Sequence, residues 1–236
     1  MYAATASRPD ILPAVIALSR YMSYWGPKHV KAAKHAMSYV RATYSDCIKF
    51  TKPLSFDGVL DIIAFSDSDW AGCPDTRRTT VGYVIFMCGG PIAWKSKKKE
   101  TLALSSCEGE YMALSETGRE IIWIMNFLTE IRVKFNKPRI YCDSDSAINW
   151  AEEPIQHQRN KHVELTYYYI RDIVKAGLID LYRISTFDNR SDPFSKNATT
   201  PMFLSHKPHI MGWIPVILND INQPGSQNYK PERKSK

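Results

Sequence analysis

The sequence has few features of a secreted protein, of a protein with a structural zinc site or of a membrane-spanning protein. Its five cysteines are scattered, odd in number and never spaced as Cys-x-x-Cys. This argues against a disulfide framework or a zinc ribbon and favours a reducing compartment. No run reaches the roughly 20 apolar residues that a membrane span needs, and the N-terminus lacks the basic-then-apolar order of a secretory signal. We therefore expect an intracellular protein with no membrane partner.

Acidic residues are also few relative to basic ones. There are 24 Asp and Glu against 31 Lys and Arg, which gives a net charge of +7. This balance favours an anionic partner, with nucleic acid as the first candidate. What the chain does have is apolar content: 44% of its 236 residues are hydrophobic, enough for a sizeable core.

The pattern of apolar residues divides the chain into a helical beginning and a sheet-forming remainder. Residues 9 to about 45 have helical spacing interrupted at Gly26-Pro27, and the turn-rich stretch 51–58 is the candidate boundary. Strands are then predicted over residues 60–66, 81–87, 92–94, 139–142 and 179–184, and helices over 105–131, 146–152 and 163–175. Gly118 is expected to break the first of these helices. Together these elements predict an α/β fold with a mixed five-stranded sheet.

Two of the predicted strands run into acidic residues, at Asp67 and at Asp143, each within an Asp-Ser-Asp tripeptide. If these strands are neighbours, the two carboxylates lie together. Carboxylates about 4 Å apart repel by roughly 4 kcal/mol at an effective dielectric near 20, so such a cluster needs protons or cations. Hard oxygen ligands select Mg²⁺ or Mn²⁺. Further acids are available at Glu108 and Glu110, in the first turn of a predicted helix, and at Asp192.

Six blocks of sequence carry a family resemblance. They are FSDSDWAG (65–72), DTRRTTVGY (75–83), WKSKK (94–98), LSSCEGEY (104–111), YCDSDSAI (141–148) and RNKHVE (159–164). In this order and spacing they resemble the ribonuclease H domain of copia-type retrotransposon Pol polyproteins, and the helical beginning resembles the end of the preceding reverse transcriptase. The resemblance divides the chain into a reverse-transcriptase thumb and connection remnant (1–52), a ribonuclease H-like domain (58–200) and a C-terminal extension (201–236). We expect the polar tail from about residue 223 to be disordered.

The resemblance implies a fold, a reaction and a site. The fold is ribonuclease H-like, a mixed five-stranded sheet with helices on both faces. The reaction is hydrolysis of the RNA strand of an RNA–DNA hybrid with two Mg²⁺ ions, or Mn²⁺, held by Asp67, Glu110, Asp143 and Asp192. The chain would then belong to a longer polyprotein with a reverse transcriptase polymerase domain, located in the cytoplasm within a virus-like particle or in the nucleus.

Basic residues near the acids are candidate nucleic-acid contacts. They are Lys95, Lys97, Lys98, Arg77, Arg78 and His162. Phosphate contacts add affinity without sequence choice. The plain alternatives are a solvated hairpin end for the lysines and a structural role for the histidine. Trp70, Trp94 and Trp123 are predicted to lie in the core.

The chain departs from the family pattern near two of its acids. Ser191 stands before Asp192 where the family has Ala, and Ser195-Lys196-Asn197 stands where the family has Thr-Lys-Pro. Gly109 replaces an alanine, which weakens a helix by roughly 1 kcal/mol. Two other functions stay open. One is a ribonuclease H-like module that binds nucleic acid without catalysis, and the other is a glycosyltransferase with an Asp-x-Asp metal site, although no Gly-rich turn for a nucleotide sugar is evident.

Overall fold

The structure, a computed structural model, describes residues 1–52, 57–70, 72, 77–100, 103–152, 164–196 and 198–216. The helices are α1 Tyr2–Ala6, α2 Leu12–Ser19, α3 Pro27–Ala42, α4 Ser106–Glu130, α5 Asp145–Glu152, α6 Glu164–Lys175, α7 Asp192–Ser195 and α8 Thr200–Ile210. The strands are β1 Val59–Leu60, β2 Ile63–Asp69, β3 Thr80–Met87, β4 Gly90–Lys98, β5 Lys134–Phe135, β6 Arg139–Cys142 and β7 Asp180–Arg183. The tail predicted to be disordered lies outside the described residues.

The central sheet has five strands in the order β4-β3-β2-β6-β7. β3 pairs antiparallel with both β4 and β2, whereas β6 pairs in parallel with β2 and with β7. The predicted mixed five-stranded, ribonuclease H-like sheet is therefore confirmed. β1 and β5 form a separate two-stranded parallel pair.

One face of the sheet is covered by α4, α5 and α6, which share a core with it. α4 is a single helix of 25 residues whose N-cap, Ser105, accepts a hydrogen bond from the Glu108 N–H. The predicted break at Gly118 is wrong, because the helix continues through it. A β-carbon at Gly118 would lie 2.8 Å from Ile173 Cδ1 of α6. This glycine therefore marks a close approach of two helices.

The opposite face is covered by α1, α2, α7 and α8. Leu12 of α2 and Ile210 of α8 are buried in one cluster with Phe65 and Phe86 of the sheet. Helices therefore lie on both faces, as predicted. The division of the chain into three segments stays a prediction, but parts of the first and last segments share this second core with the sheet.

Two of the three tryptophans predicted in the core lie elsewhere. Trp70 is 46% exposed and Trp123 is 62% exposed, the latter stacked on Phe127 along the outer side of α4. Trp94 is partly buried against the second core, and its indole N–H donates to the Ala4 carbonyl oxygen at 2.8 Å. Periodicity alone does not separate a core tryptophan from one on the outer side of a long helix. Within the described ranges, no helix is both long and apolar enough to cross a membrane.

Candidate metal centre

Asp67 and Asp143 lie side by side near the carboxyl ends of two parallel strands, two residues before the end of β2 and one residue after the end of β6. Ser66 of β2 is paired with Cys142 of β6, and each acid is the next residue. The expectation that these two strands are neighbours is confirmed. Asp67 is fully buried. Asp143 is partly exposed, and its Oδ2 accepts a hydrogen bond from Thr186 Oγ1 at 2.8 Å.

Helix α4 brings Glu110 to the same end of the sheet. Glu110 Oε1 accepts hydrogen bonds from the Ser68 N–H at 3.1 Å and from the Ser68 hydroxyl at 2.9 Å. Gly109 permits this approach, because a β-carbon there would lie 2.8 Å from Ser68 Oγ. Glu108 instead accepts a hydrogen bond from the Leu104 N–H at 2.6 Å, which ties it to the start of the helix.

Glu110, Cys142 and Asp143 form a set of side chains that could hold a metal ion. Their ligand atoms all lie within 4.8 Å of one another. Cys142 was not predicted as a candidate ligand. The available signal was its place before a strand-end acid, where alternation along the strand turns it towards the face that α4 covers. Carboxylates prefer Mg²⁺ or Mn²⁺. Burial, followed by the charge of Glu110, raises the pKa of the Cys142 thiol well above its usual value, so the two carboxylates are the stronger ligands of this set.

Helix α7 brings Asp192 to the other side of Asp67. Lys196 Nζ lies 2.7 Å from Asp192 Oδ1 and 3.2 Å from Asp67 Oδ1. The Ser195 hydroxyl donates to Asp67 Oδ2. Asp192 is fully buried, and its second oxygen, Oδ2, has no hydrogen-bond partner among the described residues. All four predicted acids are thus brought to one end of the sheet.

Gly82 of β3 lets α7 pack this closely. It is the residue paired with Asp67 between β2 and β3. A β-carbon on Gly82 would lie 2.7 Å from the backbone carbon of Phe194 and 2.7 Å from the backbone nitrogen of Ser195. A larger residue would therefore push α7, and Asp192 with it, away from Asp67.

Burial and mutual repulsion raise the pKa values of two of these acids, Asp67 and Glu110. Burial is the largest cause for Asp67, whose pKa rises from 3.8 to about 7. Lys196 opposes this rise in the pKa of Asp67, and the charges of Asp143 and Asp192 add to it. Burial, followed by the charges of Asp67 and Asp143, raises the pKa of Glu110 well above its usual value. The acids therefore act on one another as a single cluster.

Lys196 carries its positive charge inside this cluster. Burial alone would lower the pKa of Lys196, but the charges of Asp67 and Asp192, and hydrogen bonds to both, raise it above its usual value. Neither Lys196 nor Ser195 was predicted to take part in the site. The spacing of Asp192 and Lys196, four residues apart in a helical turn, is the signal that could have found the lysine.

The three predicted lysine contacts lie on β4, at the same end of the sheet. Lys97 is paired with Val81 of β3, which is paired with Ser68 of β2. Two strand spacings, about 10 Å, therefore separate Lys97 from Ser68. By alternation, Lys95 and Lys97 point to the face that α4 covers, and Lys98 points to the other face.

The remaining predicted contacts are less closely tied to the site. Lys95 Nζ lies 3.6 Å from a carboxylate oxygen of Glu116 on α4. Arg77 is exposed and has a positive φ of 53°, and Arg78 is partly exposed. His162 lies outside the described residues. A nucleic-acid role for all six residues stays a prediction.

The relatives of the chain include Pol polyproteins of plant transposons. It is 38% identical over 196 residues to the retrovirus-related Pol polyprotein from transposon TNT 1-94 of Nicotiana tabacum, covering 83% of this chain and 14% of that protein. It is 34% identical over 198 residues to the corresponding polyprotein from transposon RE1 of Arabidopsis thaliana, covering 84% of this chain and 13% of that protein. The chain thus spans a small part of these relatives. No protein-family model matches the chain.

Among solved structures, the chain is similar to LC11-RNase H1, crystallised with an RNA/DNA hybrid. The similarity has a TM-score of 0.44 at 14% identity and covers 58% of this chain and 95% of that one. With a TM-score this low, the fold assignment rests on the strand order and pairing. The polyprotein relatives cover most of the chain at more than 30% identity. The chain is therefore homologous to a segment of copia-type retrotransposon Pol polyproteins.

Proposed function

We propose that this chain hydrolyses the RNA strand of RNA–DNA hybrids in a reaction that requires Mg²⁺ or Mn²⁺. The observation that carries the proposal is the gathering of Asp67, Glu110, Asp143 and Asp192 at one end of the sheet. Burying carboxylates together costs free energy unless cations or protons compensate. A cluster assembled from residues far apart in the chain therefore indicates a cation-binding function.

Different residues would bind the metal ion and the nucleic acid. Glu110 and Asp143, with Asp67 beside them, would bind the metal ion, and hydrogen bonds from Ser68 and Thr186 would fix the orientation of two of these carboxylates. A bound divalent ion would lower the pKa of a water molecule and offset charge on the scissile phosphate. The β4 lysines would contact backbone phosphates of the hybrid.

A cleavage assay on a labelled RNA–DNA hybrid tests the proposal, with EDTA, Mg²⁺ or Mn²⁺ added to the full chain. Asp67→Asn and Asp143→Asn should each reduce cleavage below detection. Asp145→Asn is a matched control, because Asp145 belongs to the same tripeptide as Asp143 but is exposed and paired with Arg183 at 3.2 Å. It should cleave at the wild-type rate. Wild-type activity in either of the first two variants, with folding verified by circular dichroism, would refute the site.

A second candidate function is hybrid binding without catalysis. It is favoured by one observation: Ser195 donates to one oxygen of Asp67, and Lys196 lies against the other. A binding module predicts that the chain retains the hybrid in a filter-binding assay and cleaves none of it at any metal concentration. Binding in either case should weaken with salt, because phosphate contacts release counterions.

We also propose that the chain works beside a reverse transcriptase polymerase domain within a longer polyprotein. The support is the small fraction of the relatives that it spans, 14% and 13% of their lengths. A cytoplasmic virus-like particle or the nucleus stays the expected location.

A further inference from the structure

The acid cluster has two sides that differ in what compensates its charge. On one side, Glu110, Cys142 and Asp143 have ligand atoms within 4.8 Å of one another. Their hydrogen-bond partners outside the set are Ser68, Ser144 and Thr186, which carry no charge. That side is open to a cation.

On the other side, a lysine lies where a cation would bridge two buried carboxylates. Lys196 Nζ is 2.7 Å from Asp192 Oδ1 and 3.2 Å from Asp67 Oδ1, and both acids are fully buried. Asp192 Oδ2 is buried there without a hydrogen-bond partner among the described residues. One ammonium group supplies a single positive charge to two carboxylates, and within the described part of the chain Asp192 Oδ2 is left as an unsatisfied acceptor beside it.

We propose that the Lys196 ammonium occupies the position of a second divalent ion between Asp67 and Asp192, so that the free protein binds one metal ion, on the Glu110 and Asp143 side. This inference rests on the proposed function for the nature of the ion. It differs from the two-ion arrangement that the family resemblance implies. Its physical basis is competition, since an ammonium group and a divalent ion cannot share two carboxylate oxygens at these distances, and their like charges repel.

The flexibility of lysine makes this arrangement reversible. Four methylene groups link the ammonium to the backbone, and about a third of the Lys196 side chain is exposed (34%). The side chain can therefore swing outward when a second cation enters. The planar guanidinium group of an arginine paired to both carboxylates would be displaced less readily.

The test counts Mn²⁺ ions on the full chain without nucleic acid, by isothermal titration calorimetry and by electron paramagnetic resonance of free Mn²⁺. Wild-type protein should bind one ion. Lys196→Met should bind two, with the second ion held at least about tenfold more tightly than by the wild type, since a repelling charge has been removed. Equal stoichiometry and equal affinities in the two proteins would overturn the inference.

Two further variants control for a general effect of removing a paired lysine and for a failure of Lys196→Met to fold. Lys207→Met removes a lysine that makes an ion pair of the same length, 2.7 Å, with Asp46 away from the acids, and should bind Mn²⁺ as the wild type does. If Lys196→Met does not fold, Lys196→Gln keeps a hydrogen-bond donor without the charge and should show the same second ion. A second ion in Lys207→Met would contradict the inference as well.

The outcomes for the two proposals are separable. Wild-type protein that binds one ion and gains a second in Lys196→Met, yet cleaves no hybrid, supports the lysine inference and refutes the proposed hydrolysis. Wild-type protein that cleaves hybrids but binds two ions, with affinities unchanged by the substitution, supports the hydrolysis and refutes the inference.

Discussion

A helix on each face of the central sheet carries one acid of the site, and the two helices differ in what holds them in place. On one face, Glu110 is carried by α4, a helix of 25 residues with its own side-chain cap. On the other, Asp192 is carried by α7, a helix of four residues that cannot be stable alone. α7 is in contact with β2, β3, β4, α2 and α8. The position of Glu110 is therefore set largely by its own helix, and that of Asp192 by segments distant in sequence.

Among the substitutions that compare the two faces, the largest effect is expected for Gly82→Ala, on the α7 face. The new β-carbon would meet backbone atoms of Phe194 and Ser195 at 2.7 Å, and backbone cannot move aside as a side-chain end can. Displacing catalytic groups by about 1 Å can reduce a rate by about 100-fold, so we expect a loss of that order in hybrid cleavage. Single-turnover kinetics would measure it. Cleavage within twofold of wild type would show that α7 tolerates displacement.

The next effect is expected for Leu12→Ala, which tests whether the N-terminal helices belong to the same folding unit. Leu12 is 2% exposed in the second core. Its truncation should lower the free energy of unfolding by about 2–4 kcal/mol, measured by urea denaturation. Met22→Ala, in the same segment but 76% exposed, should change little. If the main urea unfolding transition of Leu12→Ala were the same as that of the wild type, the N-terminal helices would be a separate domain.

A smaller effect is expected for the pH dependence of stability in EDTA. Asp67 ionises near pH 3.8 when unfolded and near pH 7 when folded. Between these values the folded state binds more protons, so the stabilisation from protonated Asp67 is full below about pH 4 and is lost as the pH rises through 7. Asp67→Asn should therefore be more stable than wild type by about 1–3 kcal/mol at pH 8 and nearly equal to it at pH 4. An advantage that does not change with pH would contradict the buried, raised pKa.

The smallest effect is expected for Gly109→Ala, the counterpart of Gly82→Ala on the α4 face. Alanine adds roughly 1 kcal/mol of helix stability. Its β-carbon would meet two side chains: the Ser68 hydroxyl oxygen at 2.8 Å, which can rotate away with the loss of its hydrogen bond to Glu110, and the Thr79 methyl carbon at 3.2 Å, which must shift by a few tenths of an ångström. That loss is worth about 1 kcal/mol, so the melting temperature should barely change. A loss of hybrid cleavage in Gly109→Ala as large as that expected for Gly82→Ala would contradict the proposed difference between the two faces.

The sheet and half of the site could be predicted from sequence because their signals are local. Apolar runs that end in acids predicted β2 and β6, and Asp67 and Asp143 meet because these strands are parallel neighbours. The match to family blocks selected Glu110 over Glu108, and only Glu110 contacts Ser68 at the cluster.

The remainder depends on contacts between distant residues, which a local pattern does not contain. Ser195 and Lys196 reach Asp67 only because Gly82 lets α7 approach β3. Similarly, Gly118 was predicted as a helix break because a glycine that ends a helix and one that admits a crossing helix look alike in sequence. In the structure, the side chain of Ile173 on α6 lies against Gly118, so this glycine admits a crossing helix.

The hydrogen bond from Trp94 to the Ala4 carbonyl oxygen, together with the core that Leu12 shares with the sheet, has a consequence for a cleaved form of the chain. Residues 1–52 are held on the sheet by packing as well as by the peptide that follows them. A chain nicked between residues 52 and 57 should therefore persist as a noncovalent two-fragment complex, and separately produced fragments should reconstitute the acid cluster when mixed.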